Sequence, residues 1–394
     1  MGLRDKIAII GAGCTMFGEN FHLDYSDMMV EAAAEALEEA HLTGRDIQAA
    51  WLGTAFPDAG VWKGRSGMDL AQSLGIFDIP ITRVSNYCAT GGDAFRNACY
   101  CLLSGEADVV MAMGVEKLRD RPPQESLVRM MVENGHPIIQ KGFTAAGTFA
   151  VTITRHMHEF GTKAEHLGMI SVKNHRHAIN NPKAQYRQEF SLEQVMNSPM
   201  VAWPLTVLMS CPTTDGAACV VMTRTEDAAK FNKDYVLVKG HGFSVSTGWD
   251  LPFYDPHHEF TGYRATRVAA TKAYRDAGIS NPMKELDVAE VHDCFASVEL
   301  VTYEDLGLCA RGEGKRLVEE GVTSAGGELP VNLSGGLLSC GHPVGATGLR
   351  MLYELTRQLQ GRAGKRQVPD ARLGLAHNIG GPGAVASVTI LGAR

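Results

Sequence analysis

Apolar residues along the chain follow strand-like and helix-like patterns in turn, with glycine turns between them. KIAIIGAG, residues 6–13, predicts a buried strand that runs into a glycine turn. Residues 25–56 and 263–295 share one order: an alanine-rich helix, a turn, an aspartate before a β-branched residue, and a strand. Amphipathic helices also follow Cys88 and His342, and each ends at a glycine before another strand. This repetition predicts two duplicated α/β domains related by a pseudo-twofold axis, with mixed or mainly parallel sheets covered by helices.

The repeat is interrupted in the first half of the chain. Between residues 118 and 199 the pattern becomes irregular and polar, and the first half resumes as a strand within CPTTDGAACVVMT, which begins at Cys211. The sequence therefore predicts an N-terminal domain (residues 1–117 and 200–232), an inserted loop domain (118–199) and a C-terminal domain (233–394). An insertion on a regular scaffold is a common place for substrate recognition.

Composition and charge exclude several classes of protein. The 394 residues carry a net charge of −7, which gives no electrostatic reason to expect nucleic-acid binding. No stretch is long enough to span a membrane and the N-terminus does not resemble a signal peptide, so we expect a cytoplasmic protein, bacterial or archaeal. The nine cysteines form no CxxC pair, which fits a reducing compartment and predicts no disulfide framework. His156 and His158 are two apart and would not face each other on a helix, so no metal site is predicted.

One cysteine stands where a helix begins. Cys88, in VSNYCATGGDAF, lies between a short apolar strand and a glycine-rich turn. The unpaired N–H groups and the dipole of a helix N-terminus favour a thiolate, so this position is expected to lower the pKa of the Cys88 thiol. Gly91 and Gly92 leave room for a substrate carbonyl; a small core residue is the alternative interpretation. Four other cysteines are interpreted as core residues: Cys99, Cys101, Cys211 and Cys219.

Three further stretches carry residue types that act with a nucleophilic cysteine. His342 stands in NLSGGLLSCGHPVGATG beside Pro343, which supports a helix start, and the duplication places this turn opposite Cys88. HDCF, residues 292–295, ends a strand, where α/β proteins form their sites. The glycines of HNIGGPGA, residues 377–384, let backbone N–H groups approach a ligand oxygen, as in an oxyanion hole. A structural turn would also explain each stretch taken alone.

These four stretches together resemble the thiolase superfamily, and most closely its sterol carrier protein X (SCP) type. Three longer segments share the resemblance: GTKAEHLGMISVKNHRHAINNPKAQ, CPTTDGAA and AGKRQVPDARLGLAHN. HDCF is specific, because the more usual thiolases carry an Asn-Glu-Ala-Phe type of motif there. The resemblance covers nearly the whole chain and implies the thiolase fold, a layered αβαβα arrangement with an inserted loop domain. It also implies reversible thiolytic cleavage of a 3-oxoacyl-CoA to acetyl-CoA (or propionyl-CoA) and a shortened acyl-CoA, or the reverse Claisen condensation.

The resemblance assigns a role to each matching residue. Cys88 matches the nucleophile that takes the acyl group as a thioester, and His342 matches the base that activates it. His292 would hold a catalytic water with His342, which forms one oxyanion hole for the thioester oxygen of the enolate-forming substrate. The amides of Cys88 and Gly380 would form the other, around the acyl-enzyme oxygen.

The second acid/base group departs from the usual pattern. Asn378 stands where most thiolases have a second cysteine near the C-terminus, and in the SCP type the cysteine of HDCF, here Cys294, takes that role. No cofactor is implied beyond coenzyme A, which is a substrate. Basic residues of the inserted lobe, Lys173, Arg176 and Lys183, are expected to contact the CoA phosphates.

Other functions on the same scaffold stay open. A decarboxylating ketosynthase would carry two active-site histidines, which His292 and His342 superficially fit, although Cys294 argues against it. A retro-aldolase relative that cleaves steroid side chains would lack the thiolase nucleophile or histidines. A partner-dependent subunit of a larger acyl-CoA complex, with a bridging protein or a synthase, would keep them. The resemblance implies a homodimer and a role in lipid metabolism, such as β-oxidation.

Overall fold

The computed structural model describes residues 2–57, 63–121, 144–247 and 258–394. The strands are β1 (Ile7–Cys14), β2 (Ala49–Gly53), β3 (Ile81–Val84), β4 (Val109–Glu116), β5 (Met200–Ala202), β6 (Leu205–Thr206), β7 (Gly216–Arg224), β8 (Val236–Val245), β9 (Val288–Val291), β10 (Leu373–Gly380) and β11 (Val385–Gly392). The α-helices are α1 (Tyr25–Glu39), α2 (Gly67–Leu74), α3 (Thr90–Ser104), α4 (Ala145–Phe160), α5 (Ala164–Ala178), α6 (Leu192–Met196), α7 (Thr225–Phe231), α8 (Arg264–Ala277), α9 (Pro282–Glu285), α10 (Ala296–Asp305), α11 (Gly314–Glu319), α12 (Gly336–Cys340) and α13 (Thr347–Leu359). None of these helices is long and apolar enough to cross a membrane.

The main sheet confirms the predicted duplication. Its strands are ordered β3-β2-β4-β7-β1-β8-β11-β10-β9. In the first half β2 and β4 are parallel and β7 is antiparallel to both β4 and β1; β9, β10, β11 and β8 repeat this pattern in the second half. The parallel pairing of β2 with β3 also has a counterpart, the isolated parallel bridge between Ala289 and Val331. The halves join where β1 pairs with β8 over only two residue pairs.

Small residues set how closely the outer helices approach the sheet. A Cβ on Gly11 of β1 would lie 2.0 Å from the carbonyl oxygen of Ala36 in α1. The second half repeats the contact, since a Cβ on Gly242 of β8 would lie 1.9 Å from the carbonyl oxygen of Ala269 in α8. No side chain fits at either place. The glycines of the strands and the alanines of the helices therefore both allow the helix backbone to lie directly against the sheet.

Helices α3 and α13 lie between the two halves of the sheet. Both helices contact strands of both halves. Their first turns meet through glycines: a Cβ on Gly91 would lie 3.0 Å from the amide nitrogen of Gly348. The turns that precede these two helices carry Cys88 and His342, so this contact brings the two residues to one place.

The inserted segment is more regular than its sequence pattern predicts. Its described part contains the helices α4, α5 and α6. Helices α4 and α5 pack against α10, α11 and α12 of the second half, and α6 packs against α5. The hairpin β5–β6 is attached to these helices, because the Thr206 hydroxyl donates to the carbonyl of Val195 at 2.9 Å. The predicted domain boundary at residue 200 stays a prediction. Polar residues made this segment look irregular because several of them are buried partners of the second half.

Candidate active site

Three turns bring together the residues Cys88, His292 and His342, here named the Cys-His-His cluster. Cys88 precedes α3, His292 follows β9, and His342 lies between α12 and α13. The cysteine sulfur and one ring nitrogen of each histidine lie within 4.8 Å of one another. The two imidazole rings are 5.0 Å apart between centroids and nearly perpendicular, at 84°. Among the described residues this is also the one group of three or more thiol, imidazole or carboxylate side chains at metal-ligand spacing. The expectation of no metal stays a prediction.

The pKa of Cys88 differs from the sequence-based expectation. Cys88 is half-buried, and loss of solvation raises the pKa of its thiol to about 12. The negative charge of Glu116 is the second cause. The expectation that this pKa is lowered is therefore wrong, because burial and a nearby carboxylate raise it. A thiol of this kind needs a base to remove its proton as it reacts.

His342 is oriented to act as that base. The Thr347 hydroxyl donates to the carbonyl oxygen of Pro343 at 3.0 Å and lies 2.7 Å from Nδ1 of His342. Because the hydroxyl has one proton, its oxygen accepts the Nδ1–H of His342, which leaves a lone pair on Nε2. Burial lowers the pKa of His342 to about 3, with the Arg350 charge as a smaller cause. The ring is therefore neutral over the physiological pH range.

His292 has the opposite tautomer. The side-chain amide of Asn378 donates from Nδ2 to Nδ1 of His292 at 3.0 Å, so the proton of this ring is on Nε2. Burial lowers the pKa of His292 well below its usual value, and the neighbouring His342 adds to the effect. In the described part of the chain, neither His292 Nε2 nor His342 Nε2 has a hydrogen-bond partner, and both are buried. The cluster therefore offers one donor and one acceptor to a ligand beside the thiol.

Gly380, the last residue of β10, lies against the backbone of the nucleophile's turn. A Cβ on Gly380 would lie 2.7 Å from the amide nitrogen of Cys88 and 2.9 Å from that of Ala89. Only glycine leaves space in front of these amides. The arrangement suits an oxyanion hole in the place where the sequence predicts one.

Cys294 lies in the same region, with a third thiol beside it. Cys294 is buried, and burial raises the pKa of its thiol well above the usual value. The neighbouring thiols of Cys211 and Cys88 raise this pKa further, by smaller amounts. The amide of Cys211 donates to the carbonyl oxygen of Cys294 at 2.9 Å. Cys211 was interpreted as a core residue, and it is instead a half-buried neighbour of the site. Its position at the start of CPTTDGAA was the available signal.

The structure does not place Lys173 and Lys183 at a phosphate site. Lys173 is buried; its Nζ lies 2.7 Å from Glu299 Oε1 and donates to the carbonyl of Val331 at 3.0 Å. Its charge is thus paired with a buried carboxylate, which gives no support to the expectation that it contacts CoA. Lys183 pairs with Glu35 at 2.5 Å and donates to a backbone carbonyl, so its ammonium is occupied as well.

Arg176 differs from the two lysines. It is exposed on α5 and borders a cavity of about 630 Å³ together with Lys365, and the buried Lys173 also borders this cavity. None of the three residues of the Cys-His-His cluster borders that cavity. Contact between Arg176 and CoA stays a prediction.

Comparison with known proteins extends over the whole chain. Residues 7–226 match the family model described as thiolase, N-terminal domain, and residues 254–393 match that described as thiolase C-terminal domain-like. The chain is 39% identical over 388 residues to the acetyl-CoA acetyltransferase of Methanothermobacter thermautotrophicus, covering 98% of this chain and 99% of that protein. It is 37% identical over 398 residues to human sterol carrier protein 2, covering 96% of this chain and 71% of that protein.

Solved structures have the same fold. The Ltp2-ChsH2(DUF35) aldolase superposes with a TM-score of 0.84 at 27% identity, covering 100% of this chain and 99% of that one. Human mitochondrial 3-ketoacyl-CoA thiolase in complex with CoA superposes with a TM-score of 0.75 at 18% identity, with the same coverage of both chains. The two family models cover the main sheet except β8, and they cover the turns that carry Cys88 and His342. The chain belongs to the thiolase family.

Proposed function

We propose that this protein is a CoA-dependent thiolase. It would cleave a 3-oxoacyl-CoA with CoA to give acetyl-CoA, or propionyl-CoA, and a shortened acyl-CoA, or catalyse the reverse condensation. The observation that supports this most strongly is the Cys-His-His cluster, in which a thiol lies within 4.8 Å of one ring nitrogen of each of two histidines. Nε2 of His292 and Nε2 of His342 are buried and unpaired within the described residues, as a site prepared for a substrate requires.

The residues present account for each step of the cleavage. Nε2 of His342 accepts the thiol proton while the Cys88 sulfur attacks the 3-keto carbon, and the amides of Cys88 and Gly380 stabilise the oxyanion. The bond between the two acyl carbons breaks, and its electron pair forms the enolate of acetyl-CoA. His292 Nε2–H stabilises the enolate oxygen, and Cys294 protonates its carbon. The thiol of a second CoA takes the acyl group from Cys88, its proton goes to Cys294, and the proton on His342 returns to Cys88.

The pKa values constrain how the first step occurs. The pKa of Cys88 is raised to about 12 and that of His342 is lowered to about 3. A thiolate and an imidazolium therefore do not form ahead of the substrate. Proton transfer has to accompany attack on the carbonyl, since the new negative charge then lies on an oxygen that the oxyanion hole stabilises.

We also propose the ligands, the cellular compartment and the oligomeric state of the protein. Acyl-CoA and CoA would be the small-molecule ligands, and the protein would act in the cytoplasm in lipid metabolism, such as β-oxidation. A homodimer is supported by β3, which ends the described sheet and leaves one strand edge for a second copy.

The first test is intact-mass measurement after brief incubation with acetyl-CoA or acetoacetyl-CoA. The wild type should gain one acetyl group, and Cys88→Ala should gain none. Cys309→Ala, which removes another incompletely buried thiol, should behave as wild type and control for non-specific acetylation. Absence of acetylation in the folded wild type would contradict a stand-alone thiolase.

A partner-dependent enzyme is the second candidate, supported by the similarity to an aldolase whose structure includes a DUF35 component. Acetylation of Cys88 that occurs only when a partner is co-expressed would favour this candidate. A retro-aldol reaction needs no acyl-cysteine, so acetyl-Cys88 would argue against that chemistry.

A further inference from the structure

Glu116, the last residue of β4, joins two turns of the site through one buried carboxylate. Its Oε2 accepts the amide N–H of Ala55 at 2.9 Å and that of Gly345 at 2.8 Å, while Oε1 accepts the N–H of Phe56 at 2.9 Å. Ala55 and Phe56 follow β2 in the first half, and Gly345 belongs to the turn after His342 in the second half. The carboxylate is fully buried. Glu116 therefore ties the base's turn to the other half of the molecule.

The same carboxylate lies beside the nucleophile. Cys88 packs in a small apolar cluster that includes Phe56, Leu118 and Val344. Phe56 donates its amide N–H to Glu116, Val344 precedes Gly345, which does the same, and Leu118 lies two residues after Glu116. Burial is the largest cause that raises the pKa of Cys88, and the charge of Glu116 is the second. A negative charge at this position disfavours a free thiolate.

The groups that face the Glu116 carboxyl decide when it is charged. Tyr25 on α1 donates its hydroxyl to Oε1 at 3.5 Å, and Arg83 on β3 contributes a positive charge. Arg83 is itself held by the Thr54 carbonyl oxygen at 2.8 Å. Burial raises the pKa of Glu116 to about 7, and the three N–H groups and Arg83 oppose the rise. The carboxyl therefore changes charge within the pH range in which enzymes of this kind are assayed.

We propose that Glu116 is a positioning residue of this site, which holds the His342 turn against the strand end beside Cys88 and places a buried negative charge next to the thiol. The electrostatic part does not depend on the reaction that the protein catalyses, whereas the kinetic part rests on the proposed thiolase function. The carboxylate keeps Cys88 in its thiol form until His342 takes the proton.

The test of the charge is the rate at which iodoacetamide alkylates Cys88 between pH 6 and 9, measured by mass spectrometry of the peptide that contains it. Only the thiolate reacts, so a thiol far below its pKa reacts tenfold faster per pH unit. In the wild type Glu116 ionises near pH 7 and raises the pKa of Cys88, so the slope should decrease there. His292 and His342 do not titrate in this range, because burial lowers the pKa of both.

Three variants isolate the cause. Glu116→Gln removes the charge, so its plot should be straight, and alkylation at pH 8 should be faster by about threefold for each unit by which the thiol pKa falls. Glu116→Asp keeps a carboxylate and should keep the change in slope. Glu39→Gln is the matched control: Glu39 is a partly buried glutamate that accepts the amide N–H of Ala12 at 2.9 Å and pairs with Arg357 at 2.8 Å. It should behave as wild type.

The kinetic readout separates positioning from binding. Glu116→Gln should lower kcat by up to about 10²-fold, the effect of a small displacement of a catalytic group, with little change in KM. A straight alkylation plot for the wild type, or equal plots for wild type and Glu116→Gln, overturns the electrostatic part. Wild-type kcat in folded Glu116→Gln overturns the positioning part. Alkylation needs no turnover, so it tests Glu116 even if the wild type forms no acetyl-Cys88 and the thiolase function fails.

Discussion

Replacing Lys173 by methionine separates the role that the sequence predicts from the role that the structure indicates. Lys173 looks like a phosphate contact in the sequence, but its ammonium lies 2.7 Å from Glu299 in the interior. Glu299 also accepts the side-chain amides of Asn174 at 2.6 Å and Asn332 at 2.7 Å. Asn174 donates at 2.7 Å to Asp293 of the HDCF segment as well. Lys173 is therefore part of a buried network that reaches the segment carrying two candidate catalytic residues.

The expected loss of stability follows from the burial of the Lys173–Glu299 ion pair. The side chain of Lys173 is 8% exposed and that of Glu299 is 0% exposed. Removing one member of a buried ion pair costs about 3–5 kcal/mol, because the other charge is left without its partner. Two amides still contact the carboxylate, so we expect Lys173→Met to lower the free energy of unfolding by about 3 kcal/mol, the lower end of that range. Adding Glu299→Gln removes the unpaired charge and should recover part of the loss.

Urea denaturation measures the change in stability, and steady-state kinetics measures KM for CoA in the same preparations. Lys173→Met should be less stable, with KM for CoA close to that of the wild type. Arg176→Met, an exposed change on the same helix, should alter stability by no more than about 0.5 kcal/mol; a higher KM for CoA in this variant would support the remaining phosphate prediction. If Lys173→Met raises KM for CoA without loss of stability, the structural interpretation of Lys173 is refuted.

Two further substitutions test the geometry of the cluster by steady-state kinetics. Thr347→Val removes the oxygen that accepts the Nδ1–H of His342, so kcat should fall within the about 10²–10⁴-fold that a positioned general base contributes; Thr347→Ser should restore most of it, and equal rates would contradict the assigned tautomer. Gly380→Ala places a methyl group 2.7 Å from the Cys88 amide, so kcat should fall by about 10²–10³-fold, as on loss of an oxyanion-hole donor. Gly18→Ala is the control and should keep the wild-type kcat, because a methyl on Gly18 meets nothing within 4 Å. A wild-type kcat in Gly380→Ala as well would contradict the oxyanion hole.

The elements that the sequence predicts well are those with a local cause. Buried apolar runs and glycine turns locate β1 and β9, and the helix starts locate Cys88 and His342, because neighbouring residues determine each of them. The repeated order of these elements is enough to predict that the two turns face each other. The segment 118–199 has an irregular pattern because several polar residues in its described part are paired with distant partners.

The predictions that failed depend on residues far apart in the chain. The pKa of Cys88 is set by burial and by Glu116, neither of which appears in the local pattern around the cysteine. The helix pattern of α5 places Lys173 and Arg176 on one element but does not show that a carboxylate of α10 meets only the first of them. Charge and burial at a site are properties of the assembled fold, whereas the position of a turn is a property of a short segment.

The duplicated frame explains why Glu116 and Gly380 both matter. Val110 in β4 pairs with the first residue of β2, and Gly374 in β10 pairs with the first residue of β9, so Glu116 and Gly380 occupy equivalent strand ends. Each strand end meets the turn before the central helix of the other half. Glu116 binds the amide of the turn after His342, while Gly380 leaves the amides of the Cys88 turn uncovered. One equivalent position thus holds the turn of the proposed base and the other leaves space for the proposed oxyanion hole, a division of roles that two identical halves could not provide.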